Sequence, residues 1–400
     1  MLYSRTFANG LTLIAESMPY LKSCAFSLEI PAGVGYESPD KRGIASFVCE
    51  AALRGCGKWD SREFMECLQS LGVDRGEKVG IGYVSYSAVF PATYLYSILE
   101  IYAALAQNAR FDADCLEPSR QSVILERLGI EDDPGALAAL TARKDFFPSP
   151  WGENSYGNLD VLKSLTLQEL KMFYSTYYRP DGATLSVAGN FDWEALQKSV
   201  ESLFGSWKSQ GRLEITETPA CRQNRQVEYD AQQTQIIIGF DGIPFSHPDF
   251  YKHWSGISIL GGEASGRLFT QLRERRGLCY SVGATYYSLP AHSAVFCSVG
   301  TSSEKAQEAQ ECLLNEIRKL SEGVTEEELN RVKVRARTAL IMEQESCSSR
   351  AVSMTSDWLN LKRLPSLEER CARIESLTLN SVNQYLAQNV PTEFQITTVG

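Results

Sequence analysis

Histidine is nearly absent from this chain. Three occur in 400 residues, His247, His253 and His292, and all lie in the second half. No two are four residues apart, the spacing that turns a pair of imidazoles from one helix face toward a metal. A zinc site built on such a pair is therefore excluded. Basic residues are in deficit, with 39 Lys and Arg against 49 Asp and Glu and a formal net charge of −10. Nucleic-acid recognition needs a basic face, and anionic membrane surfaces attract basic segments, so neither partner is expected. No apolar run reaches about 18 residues, so no spanning helix is expected. The opening "MLYSRTFANGLTLIAE" lacks a basic region followed by an apolar one, so no secretory signal is expected.

Cysteine is plentiful, at eleven, but shows no C-x-x-C spacing, and the count is odd. Many of these residues sit inside apolar runs. That pattern reads as buried free thiols in a reducing compartment, not as a disulfide framework or metal cluster. A soluble cytoplasmic protein is the expectation.

Apolar residues make up 44% of the chain, and 400 residues exceed what one core usually serves, so two domains are expected. The start reads as a β-hairpin, "YSRTF" and "LTLIAE" around Asn9-Gly10, followed by the strand "CAFSLEIPAG". Helices are expected near 43–55, 61–72 (capped by Asp60 or Ser61), 91–108, 113–131 and 134–146, and after Asp192. "VGIGYVSYSAVFP" and "GATLSVAGN" read as strands. Residues 209–223 are polar, contain Gly and Pro and have no clear period, which makes them the linker between domains 1–208 and 224–400. The second half repeats the theme. Strands in "QVEYDAQQTQIIIGFDG" precede helices near 248–261 and 265–275, then a strand pair turning at Leu289-Pro290. Helices near 303–321, 325–345, 349–361 and 378–388 follow, and "EFQITTVG" closes as a strand. "SAVF" occurs at 87–90 and again at 293–296, each time ending a β segment ahead of a long helix. The chain reads as two similar α+β halves.

Three stretches carry a resemblance. They are "GYESPDKRGIASFVCEAALRGCGKW", "NLDVLKSLTLQELKMFYSTYYRPDGATLSVAGNFD" and "ILGGEASGRLFTQLRERRGLCYSVGA". With the order of elements they resemble the pitrilysin/insulinase-like zinc peptidases, the inverzincins, over nearly the whole chain. The resemblance implies two homologous domains, each an antiparallel sheet with helices packed on one side. In this family H-x-x-E-H supplies two zinc ligands and a general base, and a later glutamate supplies the third ligand. The histidine positions fall on Ser46 and Glu50, the base position on Cys49, and the third-ligand position on Glu126, 76 residues after Glu50. One position of four fits. A serine hydroxyl is a poor zinc ligand, and a thiolate cannot serve as a carboxylate base. Read without the family, Cys49 is a small buried filler and Glu126 a solvated helix charge. No cofactor is expected in this chain. Use of Cys49, Glu50 and Glu126 with another metal, or of Cys49 as a nucleophile, lacks a histidine base in the first half.

The second half of the resemblance implies an arginine and a tyrosine that hold substrate and stabilise a developing oxyanion opposite the zinc. "LRERRGLCY" keeps both, as Arg273 and Tyr280. Read without the family, Arg273 is one of three arginines on a solvated helix end and Tyr280 a sheet aromatic. "LGGEASGRLF" lacks the spacing of a phosphate loop and reads as a tight turn with Ser265 as cap, which in relatives can touch substrate. The resemblance thus implies an inactive subunit that lends Arg273 and Tyr280 to a homologous H-x-x-E-H-bearing partner holding the zinc, the pair hydrolysing peptides. The alternative is a non-enzymatic structural or peptide-binding protein of the same fold, like the relatives that serve as core subunits of a respiratory complex, and a homodimer is the alternative to the heterodimer.

Overall fold

Alternating strands open the chain, and in the computed structural model, which describes residues 1–262, 264–289 and 292–400, they pair as a hairpin. Strand β1 (Leu2–Thr6) runs antiparallel to β2 (Thr12–Ser17), with Thr6 opposite Thr12. The turn is wider than a two-residue Asn-Gly loop. Phe7 and Leu11 still pair, and Gly10 takes a left-handed φ of 91°. Asn9 leaves the turn to donate to the carbonyl oxygens of Phe204 and Trp207.

The first sheet continues with β3 (Ser23–Ile30), β4 (Asp74–Val79), β5 (Val84–Pro91) and β6 (Thr184–Gly189), in the spatial order β1-β2-β6-β3-β5-β4. Only β2 and β6 pair in parallel. The second sheet holds β7 (Arg225–Val227), β8 (Thr234–Asp241), β9 (Cys279–Ser288), β10 (Ser293–Thr301) and β11 (Gln395–Val399), in the order β7-β11-β8-β10-β9. Here only β7 and β11 are parallel. Without β1 the two orders coincide position by position, including the single parallel pair, so the chain is a structural repeat. The shared "SAVF" is not its evidence. Ser87–Phe90 fall near the end of β5, whereas Ser293–Phe296 open β10, the corresponding strand.

Helices α1 (Ile44–Ala52), α2 (Ser61–Ser70), α3 (Leu95–Gln107), α4 (Leu116–Glu131), α5 (Pro134–Phe146), α6 (Leu159–Ser164), α7 (Leu167–Tyr177) and α8 (Trp193–Phe204) precede the second sheet. Asp60 caps α2 in a capping box with Glu63, and Asp192 caps α8. Within and after the second sheet come α9 (Phe250–Gly261), α10 (Ala306–Lys319), α11 (Glu326–Glu343), α12 (Cys347–Leu361), α13 (Leu367–Glu375) and α14 (Leu379–Gln388). The helix expected at 265–275 is a π-helix over Phe269–Arg275. Leu268 occupies its N-terminal flanking position, so Ser265 is not its cap. Pro290 of the turn expected at Leu289-Pro290, and Glu263 of the glycine-rich stretch, lie outside the described residues.

The chain forms two units that interleave along the sequence. One comprises Met1–Gly129, Glu153–Glu217 and Glu343–Trp358, the other Ile130–Gly152, Thr218–Met342 and Leu359–Gly400. In the first, one sheet face (Leu13, Phe26, Leu28, Tyr86, Phe90, Leu185, Val187) packs against α1, α3, α7 and α8. Most of α12 belongs to this unit, tied to it by Arg350, which pairs with Glu16 at 2.6 Å. In the second, Ile236, Ile238, Phe240, Val295, Cys297 and Val299 face α9, α10 and α14. The opposite face, with Ile237, Ala294, Phe296 and Val399, receives Ala138, Ala142 and Phe146 of α5. Each unit thus takes one helix from the other half of the chain. None of the eleven cysteines is in a disulfide, and only Cys221 is exposed. No helix among the described residues is long and apolar enough to cross a membrane.

Candidate functional site

The four motif positions of the first half all lie in the first unit. Helix α1 starts at Gly43, whose φ of 103° no other residue adopts readily. The Glu37 carboxylate closes this end by accepting from the backbone N–H groups of Gly43 at 3.1 Å and Ala45 at 2.9 Å. Burial pushes the Glu37 carboxyl up to about 7, against the pull of those two N–H groups and of Arg42. The apolar face of α1 buries Ile44, Phe47, Val48, Ala51 and Ala52 in the core, leaving Ser46 and Glu50, one turn apart, at its edge.

None of these side chains is disposed as a metal ligand. The Ser46 hydroxyl donates to the Ser155 carbonyl at 2.6 Å. Glu50 pairs with Arg54, four residues on, at 2.7 Å. Cys49 is 4% exposed and lies beside Tyr86, whose hydroxyl meets that of Tyr178 at 2.8 Å. Burial pushes the Cys49 thiol up to about 12, and Glu77, Glu50 and Glu126 add to the rise, so it stays protonated. The Glu126 carboxyl is raised too, first by desolvation and then by the nearby charge of Glu50. Glu126 thus feels the charge of Glu50, and neither position carries a histidine. A zinc ion does not fit this donor set. Among the described residues no group of three or more His, Cys, Asp and Glu could hold a metal ion.

Arg273 and Tyr280 lie in the second unit. Arg273 lies in the last turn of the π-helix, and Tyr280 stands second in β9. Gly277, at φ 57°, makes the reversal between them, with its N–H on the Arg273 carbonyl at 3.2 Å. Lys305 donates to the Gly277 carbonyl at 2.9 Å, and the Thr301 hydroxyl to that of Leu278 at 2.6 Å. This brace turns a seven-residue separation into contact. The Arg273 Cζ lies 5.0 Å from the centre of the Tyr280 ring and 4.8 Å from that of Phe269. Tyr280 is 74% exposed although aromatic, and Arg273 is exposed as well. Two hydrogen-bond donors therefore stand in solvent beside each other, able to meet a peptide carbonyl oxygen.

Sequence reasoning missed Glu37, Tyr86 and Phe269. Phe269 had a signal, since it precedes Arg273 by four residues on one helix face. Glu37 had a weaker one, an acid six residues ahead of a glycine that begins a helix.

The family model described as insulinase, peptidase family M16, matches residues 12–147. The model described as the peptidase M16 inactive domain matches residues 164–335. A Rickettsia felis protein named an uncharacterized zinc protease is 30% identical over 340 residues, spanning 84% of this chain and 82% of that protein. The chain belongs to the insulinase family of peptidases. Its motif positions in α1 and α4 fall under the first model, and Arg273 and Tyr280 under the inactive-domain model. A crystal structure of a peptidase M16 inactive domain from Pseudomonas fluorescens has the same fold, with a TM-score of 0.90, 19% identity and coverage of 100% of this chain and 97% of that one. A chain of complex III2 from Candida albicans also shares it, at a TM-score of 0.84, 17% identity and coverage of 100% and 96%.

Proposed function

We propose that this insulinase-family chain is the non-catalytic subunit of a two-subunit zinc peptidase. It brings Arg273 and Tyr280 to a homologous subunit whose H-x-x-E-H helix holds the zinc. Together they hydrolyse peptides. The zinc would polarise the scissile carbonyl and activate water on the partner, while the guanidinium and phenol of this chain hold substrate and meet the developing oxyanion. The observation that carries the reading is an asymmetry. Arg273 and Tyr280 are exposed and in contact, while Ser46, Cys49 and Glu50 are each engaged within their own unit.

Affinity capture of the tagged chain from its source cell tests this, with zinc and peptidase activity assayed on the eluate. A co-purifying chain of similar size that carries H-x-x-E-H, with about one zinc and peptide cleavage, supports the reading. Capture of the chain alone, zinc-free and inactive, contradicts it.

The fold shared with a complex III2 chain supports a second reading, a structural or peptide-binding protein without hydrolysis. A stable homodimer, or an assembly with no zinc-bearing member, favours that reading.

A further inference from the structure

Phe269 has no part in the pairing just described, yet its ring lies nearer the Arg273 guanidinium than the Tyr280 ring does, at 4.8 Å against 5.0 Å. We infer that Phe269 is a positioning residue. It orients the Arg273 guanidinium so that its N–H edge, and not its apolar face, is offered to an incoming carbonyl or carboxylate. The inference rests on the proposed role of Arg273, but its physical content belongs to this chain alone.

An exposed arginine ordinarily samples many rotamers, and ordering it on substrate binding costs entropy. Here two aromatic rings lie within 5.0 Å of its Cζ, and such rings attract a cation electrostatically and can stack on a planar guanidinium. Phe269 opens the π-helical segment and Arg273 stands four residues further along it. π-Helical turns recur at functional sites because they re-aim side chains at a cost in helix geometry. Phe269 is itself half-buried, anchored ahead of the buried Leu272, whereas Tyr280 is exposed. Phe269 is therefore the wall held by packing, and Tyr280 the one open to solvent. Among the described residues the ion pairs of this region are taken by other arginines, Arg267 with Glu328 at 2.7 Å and Arg276 with Glu308 at 3.7 Å. Arg273 is exposed, with the Phe269 and Tyr280 rings 4.8 and 5.0 Å from its Cζ.

The test uses the full chain and three substitutions. Phe269→Leu keeps apolar bulk and removes the ring, Phe269→Tyr keeps the ring, and Arg273→Ala assigns the signal. The first readout is the Arg273 Nε–Hε resonance in a proton–nitrogen NMR spectrum of the isolated chain. The inference predicts that Phe269→Leu moves it downfield, by loss of ring-current shielding, and broadens it, while Phe269→Tyr leaves it in place. The second readout is kcat and KM with the zinc-bearing partner. Phe269→Leu is expected to lower kcat/KM roughly 2- to 30-fold, the range of a cation–π contact, with Phe269→Tyr restoring it. An unmoved Arg273 resonance in Phe269→Leu overturns the inference whatever the partner does. So does a moved resonance with wild-type kinetics in the assembled enzyme. If the resonance moves and no zinc-bearing partner exists, the orientation of Arg273 by Phe269 stands and the proposed function alone falls.

Discussion

The Tyr86 and Tyr178 hydroxyls meet at 2.8 Å inside the core of the first unit, beside the buried Cys49 thiol. The position that would carry a general base is turned away from solvent and into packing. Six of the eleven thiols are buried, four are half-buried and only Cys221 is exposed. A thiol reagent applied to the native chain should therefore modify Cys221 first and leave Cys49 unlabelled until the chain is unfolded. Mass spectrometry of timed digests reads this directly. Early labelling of Cys49 would show that its thiol is accessible and would revive a chemical role for it.

Glu37 gives the fold a pH dependence of opposite sign to that of most carboxylates. Its carboxyl sits at about 7 in the folded chain against an ordinary 4.5. Between those values the folded state binds the extra proton, so stability falls as pH rises across that window. Glu37→Gln, neutral throughout, should remove this contribution. Denaturant midpoints of both proteins from pH 4.5 to 7 should converge at the acidic end and diverge toward neutrality. Parallel curves would mean that Glu37 is ionised throughout.

His253 acts at lower pH. Burial lowers it to about 4 from 6.5, with Tyr385 on its Nδ1 at 3.2 Å. A depressed histidine contributes stability that is fully present above the unfolded value and lost as pH falls toward the folded one. The loss between 6.5 and 4 has a ceiling of roughly 3 kcal/mol, and His253→Gln should flatten it. Identical acid limbs for the two proteins would contradict this.

Gly157 meets Gly43 at the start of α1. A Cβ on Gly157 would stand 2.4 Å from the Gly43 Cα and 2.6 Å from the Arg42 carbonyl oxygen, and its φ is 67°. Gly157→Ala should destabilise the first unit by roughly 2–4 kcal/mol through clash and left-handed strain. An unchanged unfolding midpoint would show that the loop simply shifts.

Much of this was written locally in the chain. "VSYSAVF" alternates because one face of β5 is buried, and Pro134 after Asp133 marks the start of α5 at the observed residue. β4, "DRGEKV", was missed because an exposed edge strand has no buried face to impose alternation. α13, "LEERCARIE", was missed because it buries only Ile374. That α5 packs under the second sheet, and α12 belongs with the first, was not legible, since periodicity tells a helix to bury a face without saying against what. At the candidate site the family resemblance gave Arg273, Tyr280 and the degenerate motif. The engagement of Ser46 by Ser155 and the placing of Cys49 beside Tyr86 required the fold, because turns and sheet pairing bring those residues together, whereas Phe269 and Arg273 are four residues apart in one helical segment.

The most direct test of the proposed function is kinetic. The chain is assembled with its zinc-bearing partner, and Arg273→Ala and Tyr280→Phe are compared with wild type at saturating peptide. Loss of a donor to a developing oxyanion costs about 100-fold or more in kcat, and each variant should show a loss of that order with zinc content unchanged. Full activity of both variants in the intact assembly would contradict the proposal and leave the peptidase fold of this chain as a scaffold.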